Sequence, residues 1–176
     1  QREIRRTTGG LNVSKSDPAV LALGRIVGSL CVLAARKGTK EKEISSAMIA
    51  SWVSQASFSP PGISIAVAKD RAVENLLHVG DSFVLNILST KKHQQFLKQF
   101  LKNFSPGEDR FSGVNIENSP GNQPILSEGL AWLEACVDQR IECGDHWLIY
   151  AEVKYGKIID PEGTTAIHHR RSGASY

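Results

Sequence analysis

The sequence predicts a mainly β fold, an antiparallel sheet closed into a barrel. Stretches with strand patterns outnumber stretches with helical patterns along its 176 residues. Most connections between these stretches are too short for the helical crossover that joins parallel strands. The strands are therefore expected to be antiparallel neighbours, and a barrel removes the exposed edges that an open sheet would leave.

The first predicted elements are a short helix and an apolar strand. Asp17 and Pro18 suit the N-cap and first turn of a helix over residues 18–23, because the carboxylate accepts backbone N–H bonds and proline presets φ. The apolar run over 26–35 predicts a strand, and the polar run over 36–42 predicts a hairpin loop after it.

The most informative stretch is rich in small and hydroxylated residues. It predicts one strand from Ile44 to Ser57 and a second from Ile63 to Lys69. In the second strand aliphatic and small residues alternate, Ile63, Ile65 and Val67 with Ser64, Ala66 and Ala68. One face therefore lacks bulk, as expected where something flat or another backbone lies against it. Small residues also fill tight barrel corners, so two ordinary core strands are the alternative.

A turn and a short helix flank this second strand. Pro61 and Gly62 suit the central positions of a type II turn, because proline presets φ and glycine accepts a positive φ. Asp70 is a candidate N-cap for a helix that ends at Gly80. Its apolar residues share one face, Val73, Leu76 and Leu77. A further strand is predicted over 82–88.

An amphipathic helix is predicted to begin at Thr90. Its apolar residues recur at helical spacing, Phe96, Leu97, Phe100, Leu101 and Phe104. Its lysines fit a solvated face better than an anion site: Lys91, Lys92, Lys98 and Lys102. Residues 103–129 contain three prolines and four glycines with little periodicity, which predicts a long loop. The sequence does not distinguish three roles for this loop: covering a ligand, contacting a partner subunit, or connecting two elements along the surface.

Two long strands complete the predicted sheet. They run from Leu130 to Cys143 and from His146 to Ile159, joined by Gly144-Asp145 as a two-residue hairpin turn. The tail over 164–176 is basic and poor in core residues.

Composition places the chain among ordinary soluble domains. It is 41% hydrophobic and 22% charged, with a net charge of +3 that is too small to indicate a nucleic-acid or membrane partner. No apolar run reaches membrane-spanning length and no signal-peptide pattern is present, so a cytoplasmic location is expected. Arg2, Arg5 and Arg6 fit a solvated linker, which divides the sequence into a linker remnant over 1–16 and one domain over 17–176.

The three cysteines form no CxxC motif. Cys31 and Cys136 lie in apolar runs, which favours buried reduced thiols in a cytosolic protein. A redox-regulatory pair between Cys136 and Cys143 is the alternative.

Motifs for acid–base, phosphate-loop or metal chemistry are missing from the sequence. There is no GxGxxG or Walker pattern, and the five histidines lack metal-ligand spacing. This poverty fits cofactor redox chemistry, in which the protein supplies placement and electrostatics. Ser51, Lys69 and Arg71 offer a hydroxyl and two cations that can hold a phosphate.

Four motifs in order resemble the flavin reductase-like family of FMN-binding split barrels. They are SSAMIASWVSQASFSPP at 45–61, VAKDRAVENL at 67–76, FVLNIL at 83–88 and GDHWLIYAEV at 144–153. From Pro18 onward the chain is similar to the C-terminal flavin reductase domain of flavodiiron proteins of oxygenic phototrophs, cyanobacteria among them. The resemblance implies a six-stranded antiparallel Greek-key split barrel that binds FMN, with FAD less favoured, and that forms a homodimer.

The same resemblance implies a set of flavin contacts. They would come from the first small-residue strand: Met48, Ile49, Ala50, Ser51 and Trp52, with Gln55 and Ser57 near the polar edge of the ring. A core position is the alternative for Trp52, and Asn86 is expected to satisfy its hydrogen bonds structurally. The Gly-Asp-His motif implies that His146 lies on the nicotinamide side of the flavin. The basic tail, which includes His168, His169, Arg170, Arg171 and Tyr176, is expected either to meet dinucleotide phosphates or to be mobile.

The leading hypothesis is an NAD(P)H:flavin oxidoreductase with His146 as its catalytic residue. The resemblance implies that electrons pass on to flavodoxin-like and diiron domains that this sequence does not contain. An FMN-binding electron relay without a nicotinamide site is one alternative. A non-enzymatic barrel is another, although the basic face with exposed aromatics that oligonucleotide binding requires is missing from the sequence.

Overall fold

The computed structural model describes residues 14–102, 104–105 and 107–174. The arginines predicted to form a linker, and Tyr176 of the tail, lie outside the described residues. The chain divides into a large unit, residues 28–168, and a small unit that combines the described parts of 1–27 and 169–176.

The described elements are mostly strands. The helices are α1 (Pro18–Leu23), a 3-10 helix (Ala72–Leu76) and α2 (His93–Phe100). The strands are β1 (Gly28–Ser29), β2 (Cys31–Thr39), β3 (Lys42–Ala50), β4 (Val53–Phe58), β5 (Pro61–Ala68), β6 (Ser82–Ile87), β7 (Ile116–Asn118), β8 (Pro124–Leu126), β9 (Ala131–Cys143), β10 (His146–Ile158) and β11 (Ile167–His168).

Seven antiparallel strands form the main sheet, in the order β3-β2-β6-β9-β10-β5-β4. The predicted mainly β antiparallel fold is confirmed, but the sheet has seven strands where six were expected. Its two edge strands, β3 and β4, are consecutive in sequence and are separated only by Ser51 and Trp52. The sheet must therefore curl until its edges approach each other. Within the described residues no strand pairing joins those edges, so the barrel is split there.

The curled sheet encloses one apolar cluster and carries a second on its outside. The inner cluster draws apolar residues from every strand of the barrel wall, among them Leu33, Ile63, Ile65, Val67, Phe83 and Ile149. The outer cluster lies between β2, β3 and helix α2, and its aromatic members are Phe96, Phe100 and Phe111. Burial of these side chains, at about 25 cal/mol per Å² of apolar surface, is the main stabilising contribution.

The alternation predicted for β5 is confirmed. Ile63, Ile65 and Val67 are at most 5% exposed and point into the inner cluster. Ser64 and Ala66, on the opposite face, are only half-buried.

The strand predicted over 44–57 is wrong in its continuity. It is two strands, β3 and β4, which end and begin on either side of Ser51 and Trp52. The predicted type II turn is also wrong, because β5 begins at Pro61 and the turn lies at Ser59-Pro60, whose peptide bond is cis.

Gly62 has a different role from the one predicted for it. A Cβ atom at this position would lie 2.6 Å from the ring of Tyr150, so Gly62 allows that ring to lie across β5. The requirement is for space and not for a positive φ.

Asp70 does not cap a helix. The segment after it is a 3-10 helix whose N-cap is Arg71, with no side-chain hydrogen bond. Its apolar residues do lie where predicted, because Val73, Leu76 and Leu77 are all buried.

The polar loop predicted over 36–42 is shorter than expected, because β2 extends to Thr39 and β3 begins at Lys42. The amphipathic helix begins at His93 and buries Phe96 and Phe100. Leu101 was predicted on its buried side but is 66% exposed, because the helix ends at Phe100.

The long loop predicted over 103–129 contains a small hairpin, β7 paired with β8. Gln123 fastens this hairpin to β2 by bonding both backbone groups of Arg36, at 2.8 and 3.0 Å. This part of the loop is therefore built onto the barrel wall.

Asn86 is fully buried in β6, and the structure confirms its structural role. Its amide nitrogen donates to the carbonyls of Val32 and Pro124, at 3.4 and 3.3 Å. Its amide oxygen accepts the N–H of Leu126 at 2.8 Å. Both ends of the side chain hold β8 against the sheet.

We expect Asn86→Ala to lower the free energy of unfolding by about 2 kcal/mol, because it leaves buried backbone groups without partners. Urea denaturation followed by circular dichroism measures the loss. Asn75→Ala is the control, since Asn75 is exposed, and it should change stability by less than about 0.5 kcal/mol. Equal midpoints for the two variants would show that the Asn86 bonds add nothing.

The small unit confirms helix α1 and orders part of the basic tail. Asp17 caps α1 through its side chain, which accepts the N–H of Ala19 at 2.8 Å. Arg170 donates to the carbonyl of Leu23 at 3.3 Å, and the N–H of Gly173 donates to the carbonyl of Val20 at 2.6 Å. Arg170 and Gly173 of the tail therefore pack on α1. No helix among the described residues is long and apolar enough to cross a membrane.

The described cysteines carry no disulfide. Cys31 is buried, which raises the pKa of its thiol to about 12. Cys136 is half-buried and Cys143 is exposed, and both lie on β9. Seven residues of extended strand separate them by about 23 Å, so the redox pair suggested by the sequence is wrong for this fold.

Candidate functional site

One outer face of the sheet carries no Asp, Glu, Lys or Arg over four neighbouring strands. Its members alternate with core residues and are Gln139, Ile141 and Cys143 of β9, His146, Leu148 and Tyr150 of β10, Ser64, Ala66 and Ala68 of β5, and Trp52 and Ser54 at the start of β4. We call this surface the uncharged face. The outer face of an antiparallel sheet is usually polar and solvated, so a surface of this kind indicates a ligand or partner.

The small residues of β5 form the floor of a shallow trough in the uncharged face. Ala68, Ala66 and Ser64 lie directly opposite His146, Leu148 and Tyr150. On the other side of the floor, the carbonyl of Trp52 accepts the N–H of Ala66 at 3.0 Å. The floor is half-buried from Ser64 to Ala68, and beyond Ser64 the ring of Tyr150 lies across β5 at Gly62.

His146 lies at one end of the trough, immediately after the hairpin turn. Its Nδ1 is 2.7 Å from Oδ1 of Asp145. Its ring lies beside that of Trp52, with 4.8 Å between the centroids and a 33° tilt. Its Nε2 is buried and has no hydrogen-bond partner among the described residues. The structure thus brings two of the predicted site residues, His146 and Trp52, into contact.

Asp145, which contacts the predicted site residue His146, was not predicted from the sequence. The hydrogen bond to His146 is the largest cause that lowers the pKa of this carboxyl, followed by the charge of the same ring. The Gly-Asp-His motif contained the signal, but only its histidine was considered. Gly144 sets the turn with φ of 62°, a conformation that glycine adopts without strain.

Ser51 lies at the split of the barrel and carries a second unsatisfied polar atom. The residue is 3% exposed, and its hydroxyl has no hydrogen-bond partner among the described residues. Gly28 packs closely against the backbone of Ser51. A Cβ atom at Gly28 would lie 1.7 Å from the Ser51 carbonyl oxygen. A buried hydroxyl without a partner costs free energy, so a bound ligand or water is expected to satisfy it.

The side chains of the three residues before Ser51 do not point to one shared site. Met48 and Ala50 belong to the inner cluster, whereas Ile49 packs against the outer one. Only the backbone of this segment is available to a ligand. Because β3 is an edge strand, part of that backbone faces away from its one partner, β2.

The two predicted phosphate cations are engaged elsewhere. Lys69 forms an ion pair with Glu142, which lowers the pKa of that glutamate, and its ammonium lies 5.3 Å from the ring of Trp147. Arg71 is exposed, and its guanidinium is 3.9 Å from Asp70. Neither side chain is hydrogen-bonded to Ser51, so the structure does not assemble the predicted trio.

Gln55 and Ser57 lie at the far end of the trough from His146. Ser57 pairs with Gly62 on β5, whereas His146 pairs with Ala68. Six residues of strand separate these positions by about 20 Å. One ring system cannot touch both ends, so the predicted contacts divide into a group around His146 and a separate group around Ser57.

Among the described residues, no group of three or more His, Cys, Asp or Glu side chains could hold a metal ion.

Comparison with known proteins identifies close relatives in sequence. The profile of the family described as "Flavin reductase like domain" matches residues 23–175. The chain is 56% identical over 155 residues to putative diflavin flavoprotein A 6 of Nostoc sp., covering 88% of this chain and 26% of the relative. It is 52% identical to diflavin flavoprotein A 1 of Synechocystis sp., with the same coverage. The chain thus spans about a quarter of the length of these relatives.

Solved structures share the fold at lower identity. The NADH:FAD oxidoreductase SgcE6 of Streptomyces globisporus superposes with a TM-score of 0.73 at 22% identity, covering 85% of each chain. A putative oxidoreductase of Sinorhizobium meliloti gives a TM-score of 0.72 at 26% identity, covering 88% of this chain and 51% of its own. At such identities the SgcE6 likeness shows the fold alone.

Proposed function

The chain belongs to the flavin reductase-like domain family, and from this we propose that it binds FMN and reduces it with hydride from NAD(P)H. The trough of the uncharged face, with His146 at its end, is the observation that carries the proposal. The curated relatives are named diflavin flavoproteins. A structure of SgcE6 in complex with NAD and FAD fragments shares this fold at a TM-score of 0.72, which makes nicotinamide a reasonable donor.

The trough suits a flat, largely apolar ring. Its floor offers only methyl and hydroxymethyl groups, and no charged side chain interrupts the uncharged face. FMN supplies a two-electron acceptor that can also release electrons singly, which this chain's own side chains cannot do. The protein's contribution is to exclude water from the ring and to orient the donor.

Three residues at the split are proposed to hold the flavin. Ser51 offers a buried donor to a phosphate or ribityl oxygen, the backbone near Ala50 offers edge N–H groups, and Trp52 walls the trough. Lys69 and Arg71 join the phosphate site only if they leave Glu142 and Asp70. We propose no ring contact for Gln55 and Ser57, because of their distance from His146.

His146 is proposed to contact the nicotinamide. Its unsatisfied Nε2 is buried beside the trough, where it can bond a polar group of the donor. An imidazole can also donate or accept a proton as charge develops during hydride transfer.

We further propose that electrons leave this domain for flavodoxin-like and diiron domains of a longer chain, and that the domain forms a homodimer. Support for the first part is that the chain spans about a quarter of relatives named diflavin flavoproteins. Support for the second is Ile141, which is 54% exposed at the margin of the uncharged face.

An anaerobic reduction experiment tests the proposed function. The purified domain is mixed with FMN or FAD, and NADH or NADPH is added while the flavin and nicotinamide absorbance bands are followed. We expect bound FMN to be bleached by at least one of the nucleotides. Failure to bind either flavin would overturn the proposal. Flavin that binds, is reduced by dithionite and stays oxidised under excess NAD(P)H would instead indicate the electron relay.

Ser51→Ala tests the flavin site without disturbing the fold. Since the hydroxyl has no partner in the protein, its removal should leave the free energy of unfolding unchanged or slightly higher. If it bonds a charged oxygen of FMN, affinity should fall by about tenfold, measured by quenching of flavin fluorescence.

Ser46→Ala is the matched control. Ser46 is also buried with an unpartnered hydroxyl, but it lies in the middle of β3, five residues before Ser51. Equal flavin affinity for wild type and Ser51→Ala would remove Ser51 from the site.

A further inference from the structure

The imidazole of His146 is held on more than one side. The carboxylate of Asp145 lies 2.7 Å from Nδ1, and the indole of Trp52 covers a ring face at a centroid distance of 4.8 Å. The Asp145 backbone is itself anchored, because its carbonyl accepts the N–H of Lys69 at 3.0 Å. The ring is therefore restrained through one nitrogen and one face, whereas the other nitrogen, Nε2, is buried without a hydrogen-bond partner among the described residues.

The direction of the hydrogen bond follows from charge. Asp145 is ionised at neutral pH, since its bond to His146 lowers the pKa of the carboxyl. An ionised carboxylate has acceptor oxygens only, so the proton in this bond belongs to Nδ1. In the neutral ring Nε2 then carries a lone pair, and this atom is the buried one without a partner among the described residues.

We propose that Asp145 is a positioning residue that fixes His146 in its Nδ1–H tautomer and so presents Nε2 as a hydrogen-bond acceptor. The tautomer of a histidine is set by the bond that its other nitrogen makes. For its consequence the inference rests on the proposed function: the group that Nε2 receives must be an N–H donor, as the carboxamide of a nicotinamide is. Asp145 acts only through His146 and does not touch the substrate.

The tautomer can be measured directly by nitrogen NMR on flavin-free protein. At a pH of about 9 an ordinary imidazole is neutral, and the two ring nitrogens then have distinct shifts. We expect a protonated Nδ1 for His146 in the wild type and a change to the Nε2–H form in Asp145→Ala. Asp145→Asn keeps a side-chain carbonyl that accepts the same proton, so it should retain Nδ1–H.

Asp70→Ala is the matched control, because Asp70 is an exposed aspartate whose ion pair is with Arg71. It should leave the His146 signals unchanged. An Nε2–H tautomer in the wild type, or the same tautomer in wild type and Asp145→Ala, would overturn the proposal.

Kinetics provide the second readout. Asp145→Ala should raise KM for the reduced nicotinamide nucleotide about fivefold, the loss expected for one hydrogen bond, with kcat changed less than twofold. An unchanged KM in a flavin-reducing enzyme would count against the positioning role. Because the NMR measurement needs neither flavin nor nucleotide, a wild type that reduces no flavin would refute the proposed function and leave this inference standing.

Discussion

Replacing Gly28 with alanine is expected to lower the free energy of unfolding by about 3 kcal/mol and to weaken flavin binding more than tenfold. The added Cβ would lie 1.7 Å from the carbonyl oxygen of Ser51, a backbone atom that no rotamer change can move. Either β1 or the Ser51-Trp52 link must shift. A shift of that link displaces the hydroxyl and the indole that we assign to the flavin site.

Urea denaturation gives the stability change, and flavin fluorescence gives the affinity. Ser29→Ala on the same short strand is the control, because it adds no atom to the backbone contact; it should stay close to wild type in both measurements. If Gly28→Ala unfolds at the wild-type urea concentration, the close packing of these two segments is not a feature of the protein in solution.

His146→Ala is expected to slow hydride transfer about 100-fold while flavin affinity changes less than threefold. The slowing follows because a misplaced donor or a lost proton-handling group each costs about two orders of magnitude. Affinity should hold because the proposed phosphate and ribityl contacts come from Ser51 and the β3 edge, away from this side chain. Stopped-flow absorbance under anaerobic conditions separates the hydride step from flavin binding.

The control for this variant is His93→Ala, at the start of α2. The His93 ring bonds the carbonyl of Thr90 at 3.0 Å and belongs to another part of the surface. Its reduction rate should match wild type. A His146→Ala enzyme that reduces flavin at the wild-type rate would show that the trough works without this imidazole and would favour a nicotinamide position elsewhere.

Patterns that depend on neighbouring residues were readable from the sequence. The alternation of Ile63, Ile65 and Val67 with smaller residues predicted which face of β5 is buried. The Asp17 cap and the turn at Gly144 follow from local backbone chemistry, and both are present. The antiparallel sheet followed from short connections.

The break between β3 and β4 and the position of the following turn could not be predicted from the sequence. The run from Ile44 to Ser57 keeps the same mixture of small, hydroxylated and apolar residues throughout. Nothing local therefore marks Ser51 and Trp52 as the point where the chain leaves one edge of the sheet for the other. The turn was misplaced by two residues because Pro60 and Pro61 are both eligible for a turn.

The site itself depends on contacts between distant segments. Gly28 meets Ser51, and Trp52 meets His146, across gaps that no local pattern spans. Lys69 was a sound phosphate candidate by charge, but it lies just after β5 and pairs with Glu142 beside Trp147. The family resemblance supplied His146, and the packing around it supplied Asp145.

The position of the split determines how far the edges of the barrel can separate. If the two edge strands were far apart in sequence, a long stretch of chain would have to be ordered to bring the edges together. Here the two edge strands are joined by two residues, which keep the Cα atoms of Ala50 and Val53 within about 11 Å of each other. The link therefore limits how far the two edges can separate next to Ser51 and Trp52.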